Sequence, residues 1–378
     1  MFCASDIIMR IGIIADNHLG YPRFENDSYV QAERAFSSAA ERCDLIIVAG
    51  DIFDARVPKL ETLEKGLQIF NTVKKKGIPV FAIHGNHERR TKGMTNPLEL
   101  LLTAGVVKYL HGNGETFEKN GEKIQIFGVG NIPDMYAKST IAKAIERFVP
   151  ESGAFKILVI HQTILEILKT EEGELTLDFL ESLPFDLIIN GHIHNRMEWL
   201  NGKLLIPGST VVTQLKKDET EPRGYYIYDT HARKAEYVPI ECRDFFYEEI
   251  VFENASEEEV RQKVKNKIEE LREKSPAAIV LLKIKGTLKE GLISSDIVIE
   301  EQKDVYIVNE LNAADIKSKL DKIRQIREEK ACVKEIAVAE LEKRVEGKIT
   351  LFKPLEFFDR LVEGPEEALK YLEIEMQK

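Results

Sequence analysis

The first 240 residues alternate short apolar runs with amphipathic stretches, and this alternation restricts the possible folds more than any other feature of the chain. The apolar runs have the length of strands, while the stretches between them, such as 28–41 and 59–76, have helical periodicity. Strands separated by helices form βαβ units in which helices cover the sheets. The sequence therefore predicts an α/β fold, with strands at 10–15, 44–50, 79–84, 124–130, 156–161 and 186–190.

The pattern changes twice further along the chain. Glycine-punctuated strands that look antiparallel are predicted at 203–207, 224–229 and 236–240. Residues 245–312 then predict a strand, a long charged helix and a strand, followed by two more strands near 294–308, enough for a small α+β domain. Pro354 opens a terminal helical pair. The predicted division is a disordered extension at 1–8, a main domain at 9–243, a small domain at 244–312 and a helical tail at 313–378.

Composition bears on where the protein acts and on how it could attract a ligand. The four cysteines are far apart and form no CxxC pair, so disulfides are not expected and a reducing cytoplasm fits. The longest apolar runs are far shorter than a membrane span, and neither a membrane helix nor a signal peptide is expected. The net charge of −11 argues against coating nucleic acid by bulk electrostatics. Binding of DNA would therefore require local basic clusters, bound cations or a partner.

Residue types that bind metals follow five of the predicted strands directly. In α/β sheets the carboxyl ends of the strands share one edge, where ligands bind. Side chains as distant in sequence as Asp16 and His194 are therefore expected to meet. The five groups are Asp16-Asn17-His18, Gly50-Asp51, Gly85-Asn86-His87-Glu88, His161 and Gly191-His192-Ile193-His194.

The donor types in these groups indicate the chemistry of the site. Carboxylates, an amide oxygen and imidazoles, without thiolates, suit Mn²⁺, Fe²⁺, Zn²⁺ or similar ions. The number of donors is enough for two metals, with Asp51 as the ligand that bridges them. Two such cations sit roughly 3.5–4 Å apart, where they clamp a phosphate and generate hydroxide near neutral pH. Gly50, Gly85 and Gly191 precede ligands at points where the backbone must turn under a crowded site.

In order and spacing, these motifs resemble the calcineurin-like metallophosphoesterase pattern. The fuller strings DNHLGYPRF, AGDIFDARVP, AIHGNHERR, NGHIHNR and IPGST look more specifically like the SbcD-type repair nuclease subunit, which is the meiotic-recombination-eleven family in its archaeal form. The resemblance is strong over residues 9–230, moderate to about residue 312 and weak beyond. It implies a calcineurin-like β-sandwich flanked by helices, a small α+β capping domain and a helical C-terminal tail.

The resemblance also implies a role for each motif residue. One metal would be held by Asp16, His18, Asp51 and His194, and the other by Asp51, Asn86, His161 and His192. His87 is expected not to bind metal but to give a proton or hydrogen bond to the phosphate or leaving group, a role that suits an imidazole near neutral pH. Some relatives carry histidine three residues after the bridging aspartate, where this chain has Asp54. Asp54 could cap its loop, orient a neighbour or contact metal through water.

By the same resemblance the chain is a DNA nuclease with two Mn²⁺ ions per subunit, or other divalent transition metals, that processes double-strand breaks as a 3′–5′ exonuclease, a single-strand endonuclease or both. Its expected partners are DNA, a second copy of the chain and an SbcC-type coiled-coil ABC ATPase. The ATPase would bind the helical patterns at 351–362 and 368–376. The apolar stretch 98–107 is either core or the homodimer interface. The expected location is the cytoplasm, with association to the nucleoid during action on DNA.

Basic residues that follow the metal motifs are the predicted phosphate contacts on DNA, because such contacts need only a local positive surface. Two other functions remain open at this point. One is a small-molecule or cyclic-nucleotide phosphodiesterase of the same superfamily, although a small substrate needs neither the extra domain nor the tail. The other is a non-catalytic scaffold subunit of a repair complex, although a scaffold has no need of a complete ligand set. The predicted DNA contacts are Arg23, Arg56, Arg89 and Arg90.

Overall fold

A computed structural model describes residues 9–90, 93–170, 173, 175–313 and 353–376. These residues form two compact units. Of the described residues, the first unit contains those up to Tyr247 together with Leu271–Leu281, and the second contains Glu248–Glu270 and those from Leu282 onward. The predicted extension at 1–8 and most of the predicted tail before residue 353 lie outside the described residues, and the predicted domain boundaries stay a prediction.

The first sheet contains the first three motif-bearing strands at its centre. In order across the sheet its strands are β12 (Lys234–Pro239), β11 (Gly224–Asp229), β1 (Arg10–Ile14), β2 (Leu45–Ala49), β3 (Val80–Ile83) and β4 (Lys108–Tyr109). Strands β1 to β4 run parallel, with Ile11 opposite Leu45 and Ile46 opposite Val80. Strands β11 and β12 extend the sheet antiparallel on the other side of β1. Because β1, β2 and β3 are parallel, the motifs that follow them emerge at one edge.

The second sheet carries the last two motif-bearing strands. Its order is β5 (Asn113–Lys119), β6 (Glu122–Val129), β7 (Phe155–Ile160), β8 (Leu187–Asn190), β10 (Leu204–Ile206) and β9 (Met197–Trp199). Strands β6, β7, β8 and β10 are parallel, while β5 and β9 are antiparallel edge strands. The expectation that 203–207 is simply antiparallel is wrong, because β10 runs parallel to β8 and antiparallel only to β9. A 3₁₀ turn at Leu200–Gly202 reverses the chain between β9 and β10.

The two sheets pack face to face, with helices on their outer faces. Ile13 and Ile47 from the first sheet lie in one fully buried cluster with Ile126 from the second. Alternate residues point the other way, and Ile14 packs on the helix side with Phe36. Each such buried side chain contributes about 1.5–3 kcal/mol. The predicted α/β fold, a β-sandwich flanked by helices, is confirmed, and its helices are α1 (Glu25–Arg42), α2 (Leu60–Lys75), α3 (Pro97–Thr103), α4 (Ala137–Ile145), α5 (Leu165–Leu168) and α6 (Leu177–Ser182).

The chain beyond residue 244 contributes a small three-stranded sheet, a long helix and the terminal helices. The sheet has the order β13 (Phe245–Ala255), β14 (Ile279–Leu288) and β15 (Val305–Ala313), and the helix between β13 and β14 is α7 (Glu257–Lys274). The prediction of two strands near 294–308 is wrong, because a 3₁₀ turn at Ser294–Asp296 precedes a single strand. The predicted terminal pair is confirmed as α8 (Pro354–Glu363) and α9 (Pro365–Met376). No helix within the described ranges is both long and apolar enough to cross a membrane.

Candidate metal centre

The motif residues leave their strands in an unusual backbone conformation. Asp16, His18, Asp51 and His192 have φ angles of 51°, 46°, 49° and 74°. This left-handed region costs a side chain-bearing residue about 1–3 kcal/mol, and such strain persists where the surrounding structure imposes it. Here the loops are fixed by backbone hydrogen bonds from Asp16 N to Gly50 O and from His18 N to Asp51 O, each 3.0 Å long. The residues with this strained backbone are therefore the ones whose side chains meet at the predicted metal centre.

One group of donors gathers around Asp16. One donor atom each from Asp16, His18 and His194 lie within 4.8 Å of one another. The Nε2 atoms of His18 and His194 are 3.2 Å apart, and Nε2 of His194 is 4.0 Å from Oδ1 of Asp16. Asp51 Oδ2 lies 3.9 Å from Nε2 of His18. These four side chains are the predicted ligands of one metal.

A second group gathers on the other side of Asp51. Oδ2 of Asp51 lies 3.3 Å from Nε2 of His161. Oδ1 of Asn86 lies 3.0 Å from that same Nε2 atom and 2.9 Å from Nδ1 of His192. The structure thus brings all seven predicted ligand residues together, and Oδ2 of Asp51 faces a histidine of each group.

In His161, His18 and His194 the Nε2 atom faces the other donors, and the Nδ1 atom contacts a partner that holds the ring in this orientation. Nδ1 of His161 contacts the carbonyl oxygen of Ala49 at 2.7 Å, and Nδ1 of His18 contacts Oδ1 of Asp54 at 3.1 Å. Nδ1 of His194 contacts the hydroxyl of Thr213. A metal-binding imidazole usually donates its other N–H in this way, which fixes the ring and its tautomer. The carboxylate of Asp54, whose role the sequence left open, is thus placed where it can orient His18.

The predicted ligand histidines differ in charge state. Burial opposes protonation of His161 and His18, but the surrounding carboxylates outweigh it, raising the pKa of His161 to about 9 and the pKa of His18 above its usual value. Burial lowers the pKa of His192 to about 4 and of His194 to about 2, so both rings are neutral and can act as ligands. Burial would raise the pKa of Asp51, but the neighbouring imidazoles hold it below its usual range. Oδ2 of Asp16 is buried and has no hydrogen-bond partner among the described residues. A buried acceptor without a donor costs free energy that a cation would remove.

Gly85 and Gly191 lie so close to neighbouring atoms of this centre that no side chain fits at either position. A Cβ atom on Gly85 would lie 2.0 Å from Oδ1 of Asp51. A Cβ atom on Gly191 would lie 2.1 Å from the carbonyl oxygen of Ala49 and 2.6 Å from Nδ1 of His161. Neither glycine has a positive φ angle, so the space and not a sharp turn explains their presence. Any larger residue at these positions would push the donors apart.

His87 lies at the mouth of the centre. Its backbone N–H donates to Oδ1 of Asp51 at 3.0 Å, and its Nδ1 contacts the carbonyl oxygen of Asp54 at 2.6 Å. Because a carbonyl only accepts, Nδ1 carries the proton of this hydrogen bond and Nε2 remains to act on a substrate. The side chain is 38% exposed. It lines a cleft of about 440 Å³ together with Asp51, Asn86 and His192.

The predicted DNA-binding arginines have different surroundings. Arg23 and Arg56 are exposed. Arg89 is half-buried and donates to Oδ1 of Asn131 at 2.8 Å, and Asn131 in turn donates to the carbonyl oxygen of His161. Arg90 donates to the carbonyl oxygen of Arg56 at 2.8 Å. Arg89 and Arg90 thus contact neighbouring loops, and the predicted contacts of all four arginines with DNA stay a prediction.

The sequence analysis did not predict that residues outside the metal motifs line the same cleft. These residues include Gln214, Lys216 and Asp218, from the loop after the IPGST string. The loop is fixed by a buried ion pair between Arg223 and Glu219, and Arg223 also donates to the carbonyl oxygen of His194 at 3.0 Å. A charged pair at i and i+4 is common on helix surfaces, so the sequence carries no signal that this pair is buried.

Comparisons with known proteins agree with this geometry. Residues 9–196 match the calcineurin-like phosphoesterase family. The chain is 29% identical over 262 residues to the double-strand break repair protein MRE11 of Encephalitozoon cuniculi, covering 58% of this chain and 45% of that protein. It is 29% identical to DNA double-strand break repair protein Mre11 of Methanosarcina acetivorans (79% and 51% covered) and 30% identical to that of Saccharolobus solfataricus (50% and 50% covered).

The matched part of the chain thus spans about half the length of these curated relatives. The family match begins at Met9, just before β1, and ends at Arg196, after the last metal motif. It therefore includes all five strand ends from which the donors converge. The chain therefore contains, over residues 9–196, a domain of the calcineurin-like phosphoesterase family.

Proposed function

We propose that the protein is a Mn²⁺-dependent DNA nuclease that processes double-strand breaks, as a 3′–5′ exonuclease, a single-strand endonuclease or both. The observation that carries this proposal is the convergence of seven donor residues and His87 at one cleft, within a fold whose curated relatives are named for double-strand break repair. The proposed site of action is cytoplasmic DNA.

In the proposed chemistry the two donor groups bind the cations, and His87 acts on the leaving oxygen. When bound, two divalent cations stabilise the charge on the scissile phosphate and lower the pKa of a nucleophilic water. Asp51 keeps the two donor groups adjacent, since its Oδ2 atom faces both His18 and His161. His87, held by Asp51 and the Asp54 carbonyl, presents Nε2 to the leaving oxygen. In its doubly protonated form the ring gives that oxygen the Nε2 proton or a hydrogen bond and keeps the proton on Nδ1.

A single assay tests the proposal against its rivals. The purified chain is incubated with labelled single- and double-stranded DNA and, separately, with bis-p-nitrophenyl phosphate, each with Mn²⁺ and with excess chelator. We expect Mn²⁺-dependent cleavage of DNA. Hydrolysis of the small ester alone would favour a small-molecule phosphodiesterase, and no hydrolysis of either would favour a scaffold subunit.

Lys216 is the proposed phosphate-binding residue in the cleft, and exposed Arg56 is a second candidate. Removing one cation that neutralises a phosphate reduces the slope of log K against log salt concentration by roughly 0.7 for single strands and 0.9 for duplex DNA. We expect Lys216→Ala to weaken DNA binding and to lower the slope by about that amount. Lys234→Ala on the edge strand β12 is the control. An unchanged slope for Lys216→Ala, measured by fluorescence anisotropy at several salt concentrations, would contradict this assignment.

The helix α3 supports the proposed homodimer. Leu98 and Leu101 are fully buried, whereas Leu100 and Leu102 are each 46% exposed. The stretch 98–107 thus contributes to the core on one face and exposes leucines on the other. We expect the protein to sediment as a dimer at micromolar concentration, and Leu100→Glu with Leu102→Glu to sediment as a monomer. Val149→Glu, at an exposed valine outside α3, should remain a dimer; a wild-type monomer would end the proposal.

The helices α8 and α9 are the proposed binding element for a coiled-coil ATPase. Leu361 in α8 and Leu369 and Ile374 in α9 are at least half exposed. Exposed apolar side chains on a helical pair favour docking to a partner. We expect deletion of 348–378 to abolish co-elution with a purified coiled-coil ABC ATPase of the same organism while cleavage of DNA by the chain alone persists. Retained co-elution would exclude this element as the binding site.

A further inference from the structure

A hydrogen-bond chain leads from His192 away from the cleft. Nε2 of His192 lies 3.2 Å from the hydroxyl oxygen of Thr163, and that hydroxyl donates to Oδ2 of Asp134 at 3.1 Å. Thr163 follows β7 and is 8% exposed. Asp134 is the first residue of a 3₁₀ turn, Asp134–Tyr136, which follows β6. Neither residue belongs to a metal motif, and neither has a part in the chemistry described so far.

The partner of His192 differs in kind from those of His161 and His18. Ala49 offers His161 a carbonyl and Asp54 offers His18 a carboxylate, and both of these groups only accept hydrogen bonds. They force the ring proton onto Nδ1 and leave Nε2 bare. A threonine hydroxyl can either donate or accept, so Thr163 alone would leave the tautomer of His192 undetermined.

Asp134 removes this ambiguity. The hydroxyl of Thr163 has one proton, and the carboxylate of Asp134 takes it. The hydroxyl oxygen is then an acceptor, so Nε2 of the neutral His192 ring carries the proton. Nδ1 presents its lone pair to Oδ1 of Asn86, 2.9 Å away. Two lone pairs at that distance repel each other, and a cation held by both atoms would turn the repulsion into binding.

We propose that Thr163 and Asp134 are positioning residues that fix the tautomer of His192, so that its Nδ1 atom is the one offered to the cation shared with Asn86. This inference rests on the proposed function only in assuming a cation at His192 and Asn86, and it is independent of the substrate. Within the described residues, the hydrogen bonds of Thr163 and Asp134 lead to His192 and to no other predicted ligand, so one of the two cations should be affected selectively.

Three variants should differ in the tautomer of His192 that they impose. In Asp134→Ala the Thr163 proton turns to Nε2 of His192, which moves the ring proton to Nδ1, the atom that must be bare. In Thr163→Val the outer partner is lost and neither tautomer is imposed. Thr163→Ser keeps the hydroxyl and is the control. Adding Asp134→Ala to Thr163→Val should change nothing further, because Asp134 acts only through the hydroxyl.

Binding of Mn²⁺ provides the first measurement, from the electron paramagnetic resonance signal of the free ion during titration with MnCl₂. Loss of an outer partner typically weakens metal affinity 10- to 100-fold. We expect a loss of about that size at one site in Asp134→Ala and Thr163→Val, an unchanged second site, and an effect within about twofold for Thr163→Ser. Unchanged affinity in Asp134→Ala, or a further loss in the double variant, would overturn the inference.

The tautomer itself provides the second measurement. Long-range ¹⁵N–¹H spectra of metal-free protein labelled at histidine distinguish the two tautomers, and His192→Gln identifies the signal. We expect the Nε2–H form in the wild type and the Nδ1–H form in Asp134→Ala. The Nδ1–H form in the wild type, or no change in Asp134→Ala, would contradict the inference. Asp134 is only half-buried, so this variant keeps the test available even if Thr163→Val fails to fold.

Discussion

Asp51→Asn should lower kcat/KM for DNA and for bis-p-nitrophenyl phosphate by about 1,000-fold or more. Oδ2 of Asp51 faces His161 at 3.3 Å and His18 at 3.9 Å, so one carboxylate serves both donor groups. An amide offers one neutral oxygen in its place and cannot hold two cations close together. Two-metal clamps contribute several kcal/mol of transition-state stabilisation, and each 1.4 kcal/mol is a factor of about ten in rate.

Calorimetric titration with Mn²⁺ should show a weakened second binding step in this variant. The metal-free variant should be less stable than the wild type at neutral pH, because burial opposes the Asp51 charge but the neighbouring imidazoles outweigh it and hold the pKa of Asp51 below its usual range, so the folded state favours that charge. The stabilisation of the fold by Mn²⁺ should shrink accordingly. Asp44→Asn, which changes the carboxylate just before β2, is the matched control and should bind Mn²⁺ as the wild type does. Two binding steps of wild-type strength in Asp51→Asn would contradict the shared role.

His87→Ala should reduce cleavage of DNA by a factor of about 100 to 10,000, the usual contribution of a positioned acid or base. The structure gives His87 a fixed orientation, with Nδ1 donating to the Asp54 carbonyl at 2.6 Å. If its Nε2 atom protonates the leaving oxygen, the loss should be large for DNA, whose leaving alkoxide is strongly basic. It should be several-fold smaller for bis-p-nitrophenyl phosphate, whose leaving group needs little help.

Measurement of Mn²⁺ binding distinguishes His87 as a proton donor from His87 as a metal ligand. His87, His18 and Asp54 also have donor atoms within 4.8 Å of one another. If His87 were a ligand, His87→Ala would lose a Mn²⁺ binding step and would affect both substrates equally. We expect both binding steps to remain and the two substrates to respond unequally. His111→Ala, at a histidine outside the motifs, serves as the control for general effects of losing an imidazole.

The sequence predicted the part of the site that follows from strand order. Asp16, Asp51 and His161 each come directly after a buried apolar strand, and parallel strands deliver their carboxyl ends to one edge. Periodicity identifies such strands, so the meeting of these residues could be expected without coordinates. The φ angles of 51° and 49° at Asp16 and Asp51 could not be predicted, because aspartate is enriched in the left-handed region but adopts it at only a small minority of its positions.

The supporting residues could not be predicted because they depend on loops. Thr163, Thr213 and Asp134 reach the histidines from segments outside the strands, and a lone Thr or Asp in a loop is ordinarily a turn residue. Arg89 illustrates the same limit. Its place after a metal motif predicts a phosphate contact, which stays a prediction, but its hydrogen bond to Asn131 was not expected because sequence position does not say which way a long side chain points.

The direction of β10 has a similar explanation. The strand predicted at 203–207 was expected to be antiparallel, and it does form a hairpin with β9, a strand that the sequence analysis did not predict. The sequence does not say which other strand the second arm will join. Here β10 also pairs in parallel with β8, so the hairpin adds one parallel and one antiparallel strand to the edge of the sheet.

The division of the donors between two sheets has a consequence for how activity arises as the chain matures. Asp16 and Asp51 extend from the first sheet, whereas His161 and His192 extend from the second. Contacts between residues so far apart in sequence are slow to form, because a long loop must close first. A newly made or partly unfolded chain with only one sheet in place would hold an incomplete donor set. Hydrolysis at the centre would thus begin only once both sheets are in place, so an incompletely folded copy would be inactive.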